Sequence, residues 1–113
     1  MTRILFTFII YLILLINLVA QEPKLEEMYA GLDSPWSLSF INKDNIIITE
    51  KSGNLYTLNL NTKISKKIKH NLNILEDGQG GLLDVIYNKG EVFVSYTENR
   101  GNGKSSTSVA KGI

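Results

Sequence analysis

The sequence contains no cysteine. That excludes a disulfide framework, a thiolate metal site, a cysteine nucleophile and a lipid anchor on an N-terminal cysteine. It has a single histidine, His70, so no site built on two or more imidazoles is available. An excess of one charge sign is also missing. Of the 12 basic residues Arg3 is the only charge ahead of Glu22, which leaves 11 basic against 11 acidic residues in everything after Ala20. A nucleic-acid surface needs a concentrated positive field, and this remainder is formally neutral. Lys63, Lys66, Lys67 and Lys69 do cluster, in the pattern of a solvated strand edge, where lysines block unwanted pairing. No stretch after residue 30 carries an apolar stripe of helical period over three turns.

The one long apolar run stands at the start. Met1-Thr2-Arg3, the apolar Ile4–Ile16 and Asn17-Leu18-Val19-Ala20 before Gln21-Glu22-Pro23 have the layout of a secretory signal peptide. Residues 1–20 are read as that peptide, with cleavage after Ala20 and a large residue, Leu18, at the −3 position. An uncleaved anchor is the alternative, although Ile4–Ala20 is short for a span of about 20 residues. Either way residues 21–113 work outside the cytoplasm, with no stable membrane span once the signal is removed.

The remainder reads as strands separated by turns. Leu25–Tyr29 is a first strand or a short helical turn, and Gly31–Pro35 a loop. Trp36–Ile41, Ile46–Glu50, Leu55–Leu60 and a weaker Ile64–Lys69 follow as strands. Sliding the chain against itself by about 46 residues, close to the length of a propeller blade, gives a second copy. Trp36–Lys43 falls over Leu82–Lys89, and Ile46-Ile47-Ile48-Thr49 over Val92-Phe93-Val94-Ser95. Each copy is a meander of up to four strands, the second running through Glu91–Thr97 and a strand near Ser106–Lys111. The fold class is therefore all-β, with about one and a half propeller blades after the signal. Fewer than about three repeats leave faces without neighbours. Ile47, Leu58, Val85 and Phe93 are expected to line such open flanks, in the N-terminal part of a longer protein.

Between the copies lies Asp77-Gly78-Gln79-Gly80-Gly81, running into Leu82-Leu83-Asp84-Val85. Three glycines in four positions allow positive φ and close approach of the backbone to a ligand or another segment. The same residues also spell a plain tight turn into a strand.

In order along the chain, Gly31-Leu32-Asp33-Ser34-Pro35-Trp36-Ser37-Leu38-Ser39-Phe40, Ile48-Thr49-Glu50-Lys51-Ser52-Gly53-Asn54-Leu55, Gly78-Gln79-Gly80-Gly81-Leu82-Leu83-Asp84-Val85, Val94-Ser95-Tyr96 and Thr107–Gly112 resemble the start of the glucose/sorbosone dehydrogenases. These are soluble aldose sugar dehydrogenases, six-bladed β-propellers that use pyrroloquinoline quinone (PQQ). The resemblance implies a periplasmic or secreted oxidoreductase that oxidises the C1 hydroxyl of an aldose to a lactone. Hydride passes to the quinone, calcium holds and polarises the quinone, and an external electron acceptor follows. It also implies that Gln79 hydrogen-bonds the sugar at the propeller mouth, an amide offering donor and acceptor together. Gly78, Gly80 and Gly81 shape the loop, and the alternative for Gln79 is to cap its own loop.

The resemblance places the catalytic histidine beyond residue 113, with the main quinone and calcium contacts. No catalytic residue and no metal ligand is assigned within this chain, and the chain alone is expected to be inactive. His70 is read as a surface residue of the link between blades, and Trp36 as packing. Glu50 and Asp77 are single carboxylates where calcium takes six to eight oxygens. Asp84 is expected to bond a neighbouring blade's backbone. The connection Asn88-Lys89-Gly90 is shorter than the family's. The other reading is a non-catalytic extracellular propeller that binds carbohydrate or protein, since the scaffold hosts both kinds of activity.

Overall fold

The computed structural model describes residues 1–16 and 20–113. Leu18, the −3 residue of the expected cleavage site, lies outside the described residues. The first helix, α1 (Thr2–Ile16), is a predominantly apolar run interrupted by Arg3 and Thr7, with no acid in its first turn and no base in its last. It touches neither sheet and leaves residues such as Leu5, Phe6 and Phe8 exposed. Its 15 residues span about 22 Å at the rise of an α-helix. No helix of the described residues is long and apolar enough to cross a membrane.

Seven strands follow in two antiparallel meanders. The first sheet has the order β1 (Pro35–Phe40), β2 (Asn45–Glu50), β3 (Leu55–Asn59), β4 (Ser65–Ile68); the second has β5 (Leu82–Asn88), β6 (Glu91–Gly101), β7 (Lys104–Gly112). The repeat read from the sequence is thus present as two sheets. Leu25–Tyr29 forms neither strand nor helix. Tyr29, within it, and Leu32, just after it, serve instead as a cover over Ile46, Ile48 and Leu58. The last two strands are longer than expected because the register from Val92↔Gly112 to Gly101↔Lys104 continues past the sheet contact. At the Asn88–Glu91 hairpin, Lys89 (φ 48°) and Gly90 (φ 86°) both take positive φ, as a two-residue turn matched to strand twist requires.

The two sheets meet through their first strands. Both inner strands have a register shift at the equivalent place, Pro35/Ser37 in β1 and Leu82/Val85 in β5. There Thr49, fully buried, donates its hydroxyl to the Leu83 carbonyl at 2.5 Å. Farther along, the Tyr87 N–H donates to Ser39 Oγ at 3.0 Å. Ile47 and Leu55 of the first sheet pack with Leu82, Val85, Val94 and Tyr96 of the second.

This overturns the expectation for three of the four residues placed on open flanks, while Phe93 on β6 is only partly buried. Ile47 (1% exposed), Leu58 (1%) and Val85 (3%) are buried, because the second sheet covers one face of β2 and the 29–32 segment covers the other. The exposed apolar residues are instead Trp36, Leu38 and Phe40 on β1, with Ile86 and Val109 on the second sheet. Trp36, expected to be packed, is 46% exposed.

Candidate functional site: the glycine loop and its supports

Three connections gather at one end of the sheets: the loop before β1, the β2–β3 turn and the long link from β4 to β5. Lys51 joins all three. Its N–H donates to the Ser34 carbonyl at 3.0 Å, and its carbonyl accepts from the Leu82 N–H at 3.0 Å. Its ammonium reaches across to donate to the Gly78 carbonyl.

Glu50 ties the first two connections together. It is 4% exposed, yet both carboxylate oxygens are used. Oε1 accepts from the Asp33 N–H and Oε2 from Asn54 Nδ2, each at 2.8 Å. A buried carboxylate is tolerated when its lone pairs are met in this way. His70 ties the third connection to the second. Its Nε2 lies 2.6 Å from the Gly53 carbonyl, and the Leu72 N–H points at Nδ1 from 3.3 Å. With Nδ1 accepting and Nε2–H donating, this exposed imidazole is a buckle with both nitrogens engaged.

The glycine loop closes on its own backbone. The Gly80 N–H donates to the Asp77 carbonyl at 2.7 Å and the Asp77 N–H to Gly80 O at 3.3 Å. Thr97 of β6 holds the far side. Its N–H donates to Gly81 O at 2.8 Å, and its Oγ1 accepts from Gly81 N–H at 3.2 Å. A methyl on Gly81, at φ 155°, would overlap the Lys51 carbonyl. A Cβ on Gly80 would come within 2.9 Å of Thr97 Oγ1. Close approach of the backbone is therefore a fact of this loop, and it is toward other segments of the chain. The Gln79 side chain takes no part in closing the loop. It is exposed, and its amide has no partner among the described residues.

The other residues singled out from the sequence are placed elsewhere. Asp84 bonds the neighbouring sheet, but through a side chain: its Oδ1 accepts from the Ser37 hydroxyl and from its own Val85 N–H. The hydroxyl is in reach because the bulges bring β1 and β5 side by side. Asp77 is exposed on the loop, and Glu50 is occupied by its two donors. Among the described residues no three acidic or imidazole groups come together to hold a metal ion. Sequence reasoning missed Lys51 and Thr97, the two residues that hold the loop from either side. Lys51 stands inside one of the quoted motifs, but only the fold shows what its ammonium reaches.

Residues 32–113 match the family described as glucose/sorbosone dehydrogenase. The chain is 30% identical over 95 residues to the aldose sugar dehydrogenase YliI of Escherichia coli (strain K12), covering 79% of this chain and 26% of that protein. A crystal structure of a glucose dehydrogenase is similar at 31% identity and a TM-score of 0.73, over 80% of this chain and 28% of that one. The PQQ-bound aldose sugar dehydrogenase of Streptomyces coelicolor shares the fold at 17% identity and a TM-score of 0.66, over 77% of this chain and 26% of that one. The chain thus spans about a quarter of the length of these relatives, and its two sheets are part of a β-propeller. With a family match running from Leu32 to the last strand, the chain belongs to the glucose/sorbosone dehydrogenase family.

Proposed function

We propose that this chain serves in a periplasmic or secreted PQQ-dependent aldose sugar dehydrogenase, within which Gln79 contacts the sugar. The observation that carries the reading is the family match over residues 32–113, joined to a loop whose closure leaves the Gln79 amide unused. Bound PQQ supplies the acceptor for the hydride leaving C1 of the aldose, with calcium as its polarising partner. This chain's part is to bind and orient. The Gln79 carboxamide gives a hydroxyl-rich ligand one acceptor and two donors, and the rigid strand β5 behind the loop fixes their position. The general base, the quinone contacts and the calcium ligands belong to other blades, and the 113-residue chain by itself turns over no sugar. Its apolar first segment directs export.

The test is to express the complete reading frame, load it with PQQ and calcium, and follow dye reduction with a panel of aldoses. Aldose-dependent reduction that disappears when a chelator strips the calcium is expected. Gln79→Ala should raise KM by about 3–10-fold with kcat nearly unchanged, the worth of one neutral hydrogen bond. No reduction with any aldose would overturn the reading, and sugar binding without reduction would establish a binding module.

A further inference from the structure

The glycine loop is anchored to two different sheets, and the two anchors are chemically unlike. On the second sheet Thr97 holds Gly81 in a pair of ordinary bonds at 2.8 and 3.2 Å. On the first sheet Lys51 holds the two ends of the loop at once, Leu82 N–H through its carbonyl and the Gly78 carbonyl through its ammonium. Gly78 is the residue immediately before Gln79 and stands at φ 54°, and a Cβ added there would meet nothing within 4 Å. An ionised donor makes a stronger hydrogen bond than a neutral one. The Lys51 ammonium is thus the one side-chain tie, among the described residues, on the residues that flank the Gln79 backbone.

We propose that Lys51 is the positioning residue of this loop: its ammonium, gripping the Gly78 carbonyl, sets the place of the Gln79 amide for the sugar. This rests on the reading of Gln79 as a sugar contact. Lys51 touches no substrate in this arrangement and acts only through the loop. Its backbone bonds to Ser34 and Leu82 survive any side-chain change, so truncation isolates the ammonium.

The experiment is a double-mutant cycle in the complete, PQQ- and calcium-loaded enzyme, with Lys51→Met, Gln79→Ala and the pair. Lys51→Met is expected to raise the aldose KM by about 3–10-fold at nearly constant kcat, with Lys51→Arg recovering most of the loss. The double variant should be no worse than Gln79→Ala alone, because residues that act as a unit are not additive. Amide hydrogen exchange at Gly80 should speed up in Lys51→Met and not in Gln79→Ala, a readout independent of turnover. Should Lys51→Met fail to fold, Lys51→Gln and Lys51→Arg make the same comparison of a weak donor with a charged one. If Gln79→Ala raises KM while Lys51→Met leaves it unchanged, or if the two effects simply multiply, the positioning role is overturned and the sugar contact stands. If Gln79→Ala leaves KM unchanged, the sugar contact is wrong and the role of Lys51 falls with it.

Discussion

β2 and the first half of β6 carry the same pattern and meet different surroundings. In β2, Ile46, Ile47, Ile48 and Thr49 are 6%, 1%, 4% and 0% exposed. In their counterparts Val92, Phe93, Val94 and Ser95, only Val94 is buried. The strands are alike in β-branched content and in antiparallel pairing, so the difference is not one of strand formation. It lies in what covers each sheet. The first has the second sheet on one face and the 29–32 segment on the other, while the second sheet is covered on one face only. Burial in this architecture is conferred by neighbours, one face at a time.

The sharpest way to break that comparison is to truncate the two residues that the sequence repeat overlays, one on a covered face and one on an open face. Ile47→Ala opens a cavity among Leu55, Leu82 and Val85 and is expected to cost about 2–5 kcal/mol. Phe93→Ala removes a larger side chain, yet its ring is already partly hydrated, so it should cost less than Ile47→Ala. Urea unfolding of the purified chain reads both. A larger loss at Phe93 would show that the second sheet's outer face is enclosed after all.

A smaller effect separates the two ends of the sheets. At the loop end, Gly81→Ala drives a methyl into the Lys51 carbonyl, and such overpacking costs about 1–3 kcal/mol in addition to backbone strain. At the opposite end, Gly90 has φ 86° with nothing within 4 Å of an added Cβ. Gly90→Ala should therefore cost only the left-handed penalty of about 1–2 kcal/mol. Equal losses of thermal stability would mean that the loop end is not held by close approach.

Much of this was legible in advance, for physical reasons that differ by element. The strands could be placed because β-branched runs bounded by Asn, Gly and Lys turns have a local cause, and the two-copy pattern survives as two sheets. The glycine loop could be placed because positive φ leaves a mark on composition. The covers could not be read. Tyr29 and Leu32 belong to a segment with no period at all, and their role depends on a face formed by residues 14 and more positions away. The identity of the open flank failed for the same reason: Ile47 and Phe40 look alike in sequence, and only the sheet contact tells them apart. At the site, Gln79 could be singled out from its motif, whereas Lys51 and Thr97 act through contacts 27 and 16 residues away in the chain.

The subtlest expectation concerns the cover itself. Tyr56 lies on β3 beside Tyr29, Leu32 and Glu50, lining a cavity of about 160 Å³ under the 29–32 segment. Its phenol is held above the ordinary value of 10.0, first by desolvation of the phenolate and then by Glu50, Tyr29 and Asp33. A raised value means that the folded chain binds this proton more tightly than the unfolded one. The contribution to stability is then complete below pH 10.0 and is lost as pH climbs through the folded value. Tyr56→Phe cannot titrate, so the native chain should lose stability relative to this variant only above pH 10.0, by a small amount because the phenol is only half-buried. Parallel curves of unfolding free energy across that range would show that the 29–32 segment and its acidic neighbours do not hold the Tyr56 proton.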